Sequence, residues 1–512
     1  MNPRLSAVCD LEVSGMREWA GMHERFDGVV QDLSPAGVTS ALTRLGHGPR
    51  EPERHDEAHL SAAEAGLRSA YGVVEEHRRN PLPHLGNLDL SCYDREYAPV
   101  SERDDARRRH IGAWPDAVDA AIEALDQVPA SVARALIPAA KGLGAGIPAG
   151  GDEQGGGGLE ADVVTDAIAA LGRLVSHLER VAEEGDPDPA LGAANLVRLM
   201  GDGEAMAVDL GRLAERADAE RNRLVAALVD ACRRIDPDSS PSALVPQLLA
   251  DHPTEVGDIY AEATDQITEA TEFTLEHDLL PDLGGQCMVG PAPASRRWAM
   301  AMMSWAAPQE QDAPSWYYVT PPDLSWPEDE QRQWLEVFSR TTLPAITVHE
   351  VMPGHYAHGR MLRRTRGDVR RTLFSTAFVE GWAHYGEQLF LEEGFREDDP
   401  RFSIGVCIEA LVRVTRLAVA IGLHTRAMTM GEAVQRFEAD AFLRGPAARA
   451  EAHRAGYDPT YGRYTWGKLE ILALRDEAMA LWGRRYSHRR FHEALLDLGA
   501  PPLGLMGRLL DD

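Results

Sequence analysis

Apolar residues recur every three or four positions along most of the chain, the spacing typical of an α-helix with one buried face. The longest such segments are DVVTDAIAALGRLVSHLERVAEE, AMAVDLGRLAERADAERNRLVAALVDACRRI and YAEATDQITEATEFTLEHDLL. Alternating patterns are scarce, and the best candidate strand is SWYYVTP at residues 315–321, with CMVGP before it. We therefore predict a mainly α fold, a large helical body with a small β element near the middle of the chain.

A glycine-rich segment, GLGAGIPAGGDEQGGGG at residues 142–158, interrupts this helical pattern. It resembles a phosphate-binding loop only in its glycines, because no G-K-[ST] follows and no predicted strand precedes it. Such a composition is typical of a flexible connection. We predict an N-terminal helical region at 1–143, a linker at 144–158 and a helical catalytic region at 159–512.

Composition and charge narrow the class of protein. The 512 residues are 44% hydrophobic and carry a net charge of −29, which favours a folded protein and argues against binding to nucleic acid or anionic membranes. The N-terminus is charged where a signal peptide needs an apolar run, and no run is long enough to span a membrane. Five widely spaced cysteines indicate reduced thiols: Cys9, Cys92, Cys232, Cys287 and Cys407. We predict a soluble, cytoplasmic protein.

The segment TVHEVMPGHYAHG, residues 347–359, carries candidate metal chemistry. His349 and His355 are six positions apart, which on an unbroken helix separates them by about 120°, too far for one ion. The helix must break, however, because the ring of Pro353 collides with the carbonyl four residues earlier, and Gly354 adopts angles closed to other residues. With these two residues looped out, the motif becomes H-E-V-M-H, the spacing of a zinc-binding helix.

A third ligand is predicted on the segment STAFVEGWAHYGEQLFLEEGF. Glu380, His384 and Glu387 fall on one face of this otherwise apolar helix, where buried charges are costly unless something holds them. We assign Glu380 as the metal ligand, with His384 or Glu387 orienting a ligand from behind. Glu350 is turned about 100° from His349 and reaches bound water rather than metal, so we assign it as the general base.

HEVMPGH followed by EGWAHYGEQL resembles the DUF885 family of bacterial proteins, which is grouped with zincin-like metallopeptidases. The tail segment RYTWGKLEILALRDEA, residues 463–478, is similar to the end of that family. The resemblance runs from about Leu343 to the end and more loosely back to Leu159. It implies a mostly α-helical zincin with a deep channel between helical halves.

The resemblance also implies zinc bound by His349, His355 and Glu380, with Glu350 catalytic. Members often carry a second histidine directly after the PGH, where this chain has Tyr356. Looping out two residues brings His355 into register, so we retain His355 as the ligand.

Further residues follow from the similar tail and the candidate strand. Tyr464 and Lys468 match the family's Y-x-x-G-K pattern, and Tyr464 is expected to stabilise an oxyanion. Lys468 and Arg475 share a helix face and could hold a substrate carboxylate, although an exposed basic face explains them equally well. Tyr318 lies in the candidate strand, which we expect at a sheet edge beside an extended peptide substrate.

These residues predict a zinc-dependent hydrolase that cleaves peptide or amide bonds of short substrates, in the manner of a carboxypeptidase. Two alternatives remain. Two histidines and one glutamate also suit a non-hydrolytic iron enzyme, and a non-catalytic helical binding protein could keep the metal for stability. Glu350 favours hydrolysis, because an oxygenase needs no base at that position.

Overall fold

The structure is a computed structural model that describes residues 1–147, 161–310 and 313–510. The predicted linker lies largely outside these residues. In the first range the chain forms α1 (Pro3–Cys9), α2 (Val13–Glu18), α3 (His23–Phe26), α4 (Pro35–Arg44), α5 (Arg54–Leu67), α6 (Glu76–Arg79), α7 (Leu82–Leu88), α8 (Val100–Gly112), α9 (Trp114–Ala124) and α10 (Ala130–Gly142).

The second and third ranges contain the longer helices and a small sheet. They form α11 (Ala161–Glu184), α12 (Ala193–Gly201), α13 (Leu210–Ile235), α14 (Pro241–Leu249), α15 (Val256–Glu276), β1 (Cys287–Pro291), β2 (Ala301–Ser304), β3 (Ser315–Val319), α16 (Glu328–Leu335), α17 (Leu343–Glu350), α18 (His355–Leu362), α19 (Asp368–Thr372), α20 (Thr376–Glu392), α21 (Pro400–His424), α22 (Met430–Ala441), α23 (Gly445–Tyr457), α24 (Arg463–Trp482) and α25 (His488–Asp497). The mainly helical prediction is confirmed.

Short 3-10 or π segments join several of these helices. They are Arg68–Val73, Ser91–Asp94, Leu143–Gly146, Ala294–Arg296, Glu336–Phe338, Gly483–Arg485 and Leu503–Leu510.

The three long predicted helices correspond to α11, α13 and α15. Helix α13 begins at Leu210, later than the apolar pattern suggests, because the side chain of Asp209 accepts a hydrogen bond from the Arg212 amide and caps the helix there. Its buried stripe, including Leu213, Leu224 and Leu228, packs against α21. Among the described residues, no helix has both the length and the apolar character needed to cross a bilayer.

The central core brings α20 and α24 into close contact. A Cβ on Gly381 would lie 2.6 Å from the Cα of Gly467 on the facing helix, so the two backbones touch where neither residue has a side chain. This approach sets the distance between α20 and the start of α24, two elements that carry predicted site residues.

The sheet has the strand order β1-β3-β2, with β1 parallel and β2 antiparallel to β3. The strands predicted at SWYYV and CMVGP are confirmed as β3 and β1. The expected edge position of β3 is wrong, because β3 is the central strand and its backbone pairs on both sides. The strand that follows β1, β2, was missed, and it forms one edge of the sheet.

The N-terminal helices pack directly onto the rest of the chain. One apolar cluster joins Leu85 and Leu136 to Leu171 and Leu178, which lie beyond the glycine-rich segment. A second cluster of α1–α5 residues includes Leu373, between α19 and α20. The predicted division at 144–158 therefore does not separate two hydrophobic cores.

Candidate functional site

The chain breaks between α17 and α18, in the middle of the HEVMPGH motif. Helix α17 ends at Glu350, and α18 begins at His355 after a turn in which the peptide bond preceding Pro353 is cis. The Trp382 indole N–H donates a 2.8 Å hydrogen bond to the Pro353 carbonyl and ties the turn to α20. The helix thus breaks where the sequence predicted. The break separates two helices, α17 and α18, and is not a two-residue loop within one helix.

Gly354 allows this turn to fold back tightly on α17. A Cβ at this position would lie 1.8 Å from the His349 carbonyl oxygen and 2.7 Å from that of Val348. Only a residue without a side chain fits so close to the preceding helix. The turn brings the imidazole rings of His349 and His355 to a centroid separation of 4.7 Å, nearly perpendicular to each other.

Glu380 on α20 lies against both imidazoles. Its Oε2 is 3.4 Å from Nε2 of His349 and 3.2 Å from Nε2 of His355. Zinc–nitrogen and zinc–oxygen bonds of about 2.0–2.1 Å in a tetrahedral site place neighbouring ligand atoms ~3.4 Å apart. The three predicted ligands therefore converge with spacings that suit one zinc ion.

Several polar atoms at this point are buried without a hydrogen bond among the described residues, including Oε2 of Glu380 and Oε2 of Glu350. Unpaired buried carboxylate oxygens are costly, and a cation would satisfy them. Burial favours a raised pKa for Glu380, but the two imidazoles outweigh it and hold that pKa well below its usual range. This donor set fits a divalent metal.

Glu350 lies close to the same imidazoles. It and the two histidines offer ligand atoms that all lie within 4.8 Å of one another, so geometry alone also permits Glu350 as a ligand. Glu380 is the better candidate, because a single oxygen atom approaches both nitrogens within 3.4 Å. Burial raises the pKa of Glu350, although the imidazoles oppose this.

Glu387 orients His349 by contacting the ring nitrogen that does not face Glu380. Its Oε1 lies 2.7 Å from Nδ1 of His349, so that nitrogen carries the proton and Nε2 presents its lone pair towards Glu380. The same carboxylate oxygen lies 3.4 Å from Nδ1 of His384, whose pKa burial lowers to about 3. Of the two residues predicted to orient a ligand, the structure places Glu387 in contact with one, and His384 behind Glu387.

Sequence reasoning missed Arg413, which supports Glu387. Its Nη2 lies 3.3 Å from the Glu387 carboxylate, and its Nη1 donates a 2.8 Å hydrogen bond to Glu409, one turn earlier on α21. Arg413 is buried in a helix that is otherwise strongly apolar. Two arginines within such a stretch, Arg413 and Arg416, were the available signal, because a buried cation requires a carboxylate partner.

The candidate site opens into a cavity of about 370 Å³. His349, Glu350, His355, Glu380 and Tyr464 line it. Its lining also includes apolar residues of the N-terminal region, of the segment between β1 and β2, and of β2: Trp19, Leu82, Leu85, Trp298, Met302 and Met303. The contribution of the N-terminal helices was not predicted, and no motif in that region signals it.

Tyr464 lies beside the candidate ligands, as the resemblance implies. Its ring stacks on the His349 ring at a centroid distance of 6.0 Å. Its hydroxyl accepts a 3.2 Å hydrogen bond from Nη2 of Arg454, a residue of α23 that was also missed. Because the hydroxyl oxygen accepts from Arg454, its own proton remains available to another acceptor.

Three predicted substrate-binding residues do not line the cavity, and those predictions are corrected. Lys468 is 1% exposed, with Nζ 2.5 Å from the Glu220 carboxylate on α13. Arg475 pairs with Glu392 at 2.7 Å, about three turns beyond the cavity residue Tyr464 along α24. Tyr318 lies on the central strand, packed within the protein. Each is engaged in structural packing or pairing instead.

A family model described as "Bacterial protein of unknown function (DUF885)" matches residues 15–510. The chain belongs to the DUF885 family. The match extends well before Leu159, where the resemblance noted in the sequence ends, so the N-terminal helices are part of the family unit. This agrees with their contribution to the cavity of this DUF885 protein.

Two solved structures share the fold. One, from Shewanella oneidensis, is 19% identical, with a TM-score of 0.73, and the other, from Colwellia psychrerythraea, is 16% identical, with a TM-score of 0.77. In both comparisons the alignment covers 99% of this chain and 97% of the other. Both proteins are described as a "putative lipoprotein", the first of unknown function. No curated protein matches this chain.

Proposed function

We propose that this DUF885 protein is a zincin-like, zinc-dependent hydrolase that cleaves peptide or amide bonds of short substrates, with His349, His355 and Glu380 as ligands. The observation that carries the proposal is the position of one Glu380 oxygen, 3.2 Å and 3.4 Å from two imidazole nitrogens. These spacings suit tetrahedral zinc, and the open cavity beside them leaves room for water and substrate.

The residues around the site support hydrolysis. Bound zinc would polarise the scissile carbonyl and lower the pKa of water from 15.7 to about 7. Glu350 takes a proton from the attacking water as its oxygen bonds to the carbonyl carbon. It then delivers the proton to the amine nitrogen as the carbon–nitrogen bond breaks. The Tyr464 hydroxyl donates to the carbonyl oxygen as negative charge develops there. The products are a carboxylic acid and an amine.

Glu350 also favours hydrolysis over the two alternatives. Two histidines and one glutamate would bind ferrous iron as well, but an oxygenase has no use for a buried carboxylate beside the metal. A metal held for stability alone would need neither that carboxylate nor a cavity facing the ligands. Glu350 has an oxygen buried without a hydrogen bond among the described residues, as a base awaiting a water molecule requires.

The cavity suits a short, extended substrate. Its volume of about 370 Å³ is at the lower end of the 300–1,000 Å³ typical of ligand sites. Met302 and Met303 of β2 line one wall, and β2 is an edge strand of the sheet. An edge strand can pair with an extended peptide, so we transfer to β2 the role that the sequence suggested for β3.

We also propose the cytoplasm as the compartment of this protein. The support is its cysteines, which form no disulfide: Cys9, Cys92, Cys232, Cys287 and Cys407. Unpaired cysteines are typical of a reducing compartment.

Two substitutions distinguish the proposed metal ligand, Glu380, from the proposed general base, Glu350. Glu350→Gln should retain zinc and lose hydrolysis by about 10²- to 10⁴-fold, because only proton transfer is removed. Glu380→Ala should lose the metal. Zinc content is measured on the purified variants, and activity by mass spectrometry of a mixed peptide library. Glu392→Gln, at an exposed ion pair with Arg475, is the control. Full activity of Glu350→Gln, or full zinc content of Glu380→Ala, would contradict the assignment.

A further inference from the structure

We infer that Arg454 and Arg463 bind the C-terminal carboxylate of the substrate, so that this site removes one to three residues from the C-terminal end of a peptide. The inference rests on the proposed hydrolase function and specifies its substrate class. It assigns the carboxylate to two arginines at the end of α23 and the start of α24, in place of Lys468 and Arg475.

The two arginines share one carboxylate. Arg463 donates from both terminal nitrogens to Asp458, at 2.6 Å and 3.0 Å. Arg454 donates to Asp458 from Nε and Nη2, at 3.1 Å and 3.0 Å. Both arginines line the cavity. Among these three side chains the positive charges exceed the negative charges by one, and a substrate carboxylate would neutralise that excess.

Arg454 also has an uncommitted donor. Its Nε and Nη2 bind Asp458 and Tyr464, whereas Nη1 makes no hydrogen bond among the described residues. The nearby Glu451 is engaged by Arg416 through both of its oxygens, at 2.6 Å and 2.7 Å. A free nitrogen on a guanidinium that is 6% exposed and faces a cavity is suited to bind an anionic ligand group.

The separation from the metal ligands fits a short peptide fragment. The Tyr464 ring centroid lies 6.0 Å from the His349 ring centroid and 5.9 Å from Cζ of Arg454. The cationic group is therefore one aromatic ring away from the candidate metal. At about 3.5 Å per extended residue, one to three residues bridge a scissile carbonyl at the metal and a carboxylate at Arg454.

The remaining arginine of the cavity wall is neutralised. Arg296 contacts Glu18 through Nη2 and lies 3.2 Å from Asp89 through Nε, and both carboxylates line the same cavity. With two carboxylates around one guanidinium, that wall is negative. A C-terminal carboxylate is therefore directed to Arg454 and Arg463, on the side of Tyr464.

The test compares a blocked tripeptide bearing a free C-terminal carboxylate with the same tripeptide as a C-terminal amide. Calorimetry measures binding to zinc-loaded Glu350→Gln, in which hydrolysis is expected to be about 10²- to 10⁴-fold slower, and to the same variant after chelation of zinc. We expect the acid to bind about 10- to 100-fold more tightly than the amide in both forms, as for hydrogen bonds to a charged group. Arg454→Ala in the same background should reduce the difference to less than about threefold.

The matched control is Arg475→Ala, which removes an arginine that does not line the cavity and should leave the acid preference unchanged. Arg454→Lys, which keeps the charge, should retain part of the preference, and a thermal unfolding curve verifies that each variant is folded. If Glu350→Gln with Arg454 intact binds the acid and the amide equally, the inference is overturned, whatever the Arg454 variants show. A preference that vanishes on chelation also overturns it, because the carboxylate then binds the metal.

The proposed hydrolase function is tested separately, by measuring cleavage of the acid tripeptide by the zinc-loaded wild-type protein. Acid preference in binding without any cleavage would support the carboxylate site and count against the hydrolase. Cleavage of acid and amide at equal rates would support the hydrolase and overturn the carboxylate site.

Discussion

Replacing Gly354 by alanine tests whether the tight turn after α17 builds the metal site. The added Cβ would lie 1.8 Å from the His349 carbonyl oxygen, where real Cβ atoms essentially never come closer than 3.0 Å. The contact is to backbone, so no side-chain rotation relieves it. The turn and the end of α17 must separate by about 1.2 Å before the added Cβ fits.

The size of this displacement determines the expected loss. His349 and His355 lie on opposite sides of the turn, so a shift of about 1 Å between them exceeds the ~0.2 Å tolerance of metal–ligand distances. We expect zinc affinity to fall by about 10²-fold or more, and hydrolysis by a similar factor, because a 1 Å misplacement at a reacting centre costs about that much. The buried overlap should also destabilise the fold by about 1–3 kcal/mol.

Zinc affinity is measured by competition with a chromogenic chelator, and stability by urea unfolding of the metal-free protein. The control is Gly172→Ala on α11, where an added Cβ meets nothing within 4 Å. That variant should keep full zinc affinity and gain up to about 1 kcal/mol from helix propensity. Wild-type zinc affinity in Gly354→Ala would refute the proposed link between the turn and the metal site.

Two further substitutions test the surroundings. Glu387→Gln should weaken zinc binding about 10- to 100-fold by releasing His349, measured by chelator competition; Glu392→Gln should not, and equal affinities would contradict the role of Glu387. Glu220→Gln should destabilise the protein by about 3–5 kcal/mol at pH 7, because it leaves Lys468 buried without its partner. Burial favours a raised pKa for Glu220, but neighbouring cations, Lys468 among them, lower it from 4.5 to about 2. The stability difference from wild type in urea unfolding should therefore be complete above pH 4.5 and shrink as the pH falls towards 2; a constant difference would contradict this.

Local sequence was sufficient to predict the break in the HEVMPGH motif. The clash of Pro353 with the preceding turn and the freedom of Gly354 depend only on neighbouring residues. The helical class followed from apolar periodicity for the same reason, since each helix needs one buried face whatever it packs against. Glu380 and Glu387 could be placed on one face of α20, because their spacing on a helix is fixed.

Which residues meet across the interior was decided by the tertiary structure. Lys468 and Arg454 are both cations near the α23–α24 junction, yet Lys468 faces Glu220 on α13 and Arg454 faces the cavity. Arg413 became recognisable as a support for Glu387 only when α21 was packed beside α20. Sequence alone was enough to predict the helical class, the break in the HEVMPGH motif and the side chains that share a face of α20, because these follow from short-range sterics and helical spacing. Tertiary packing determined the long-range partners of buried charges, such as Glu220 for Lys468 and Glu387 for Arg413, because many carboxylates distant in sequence could have filled those places.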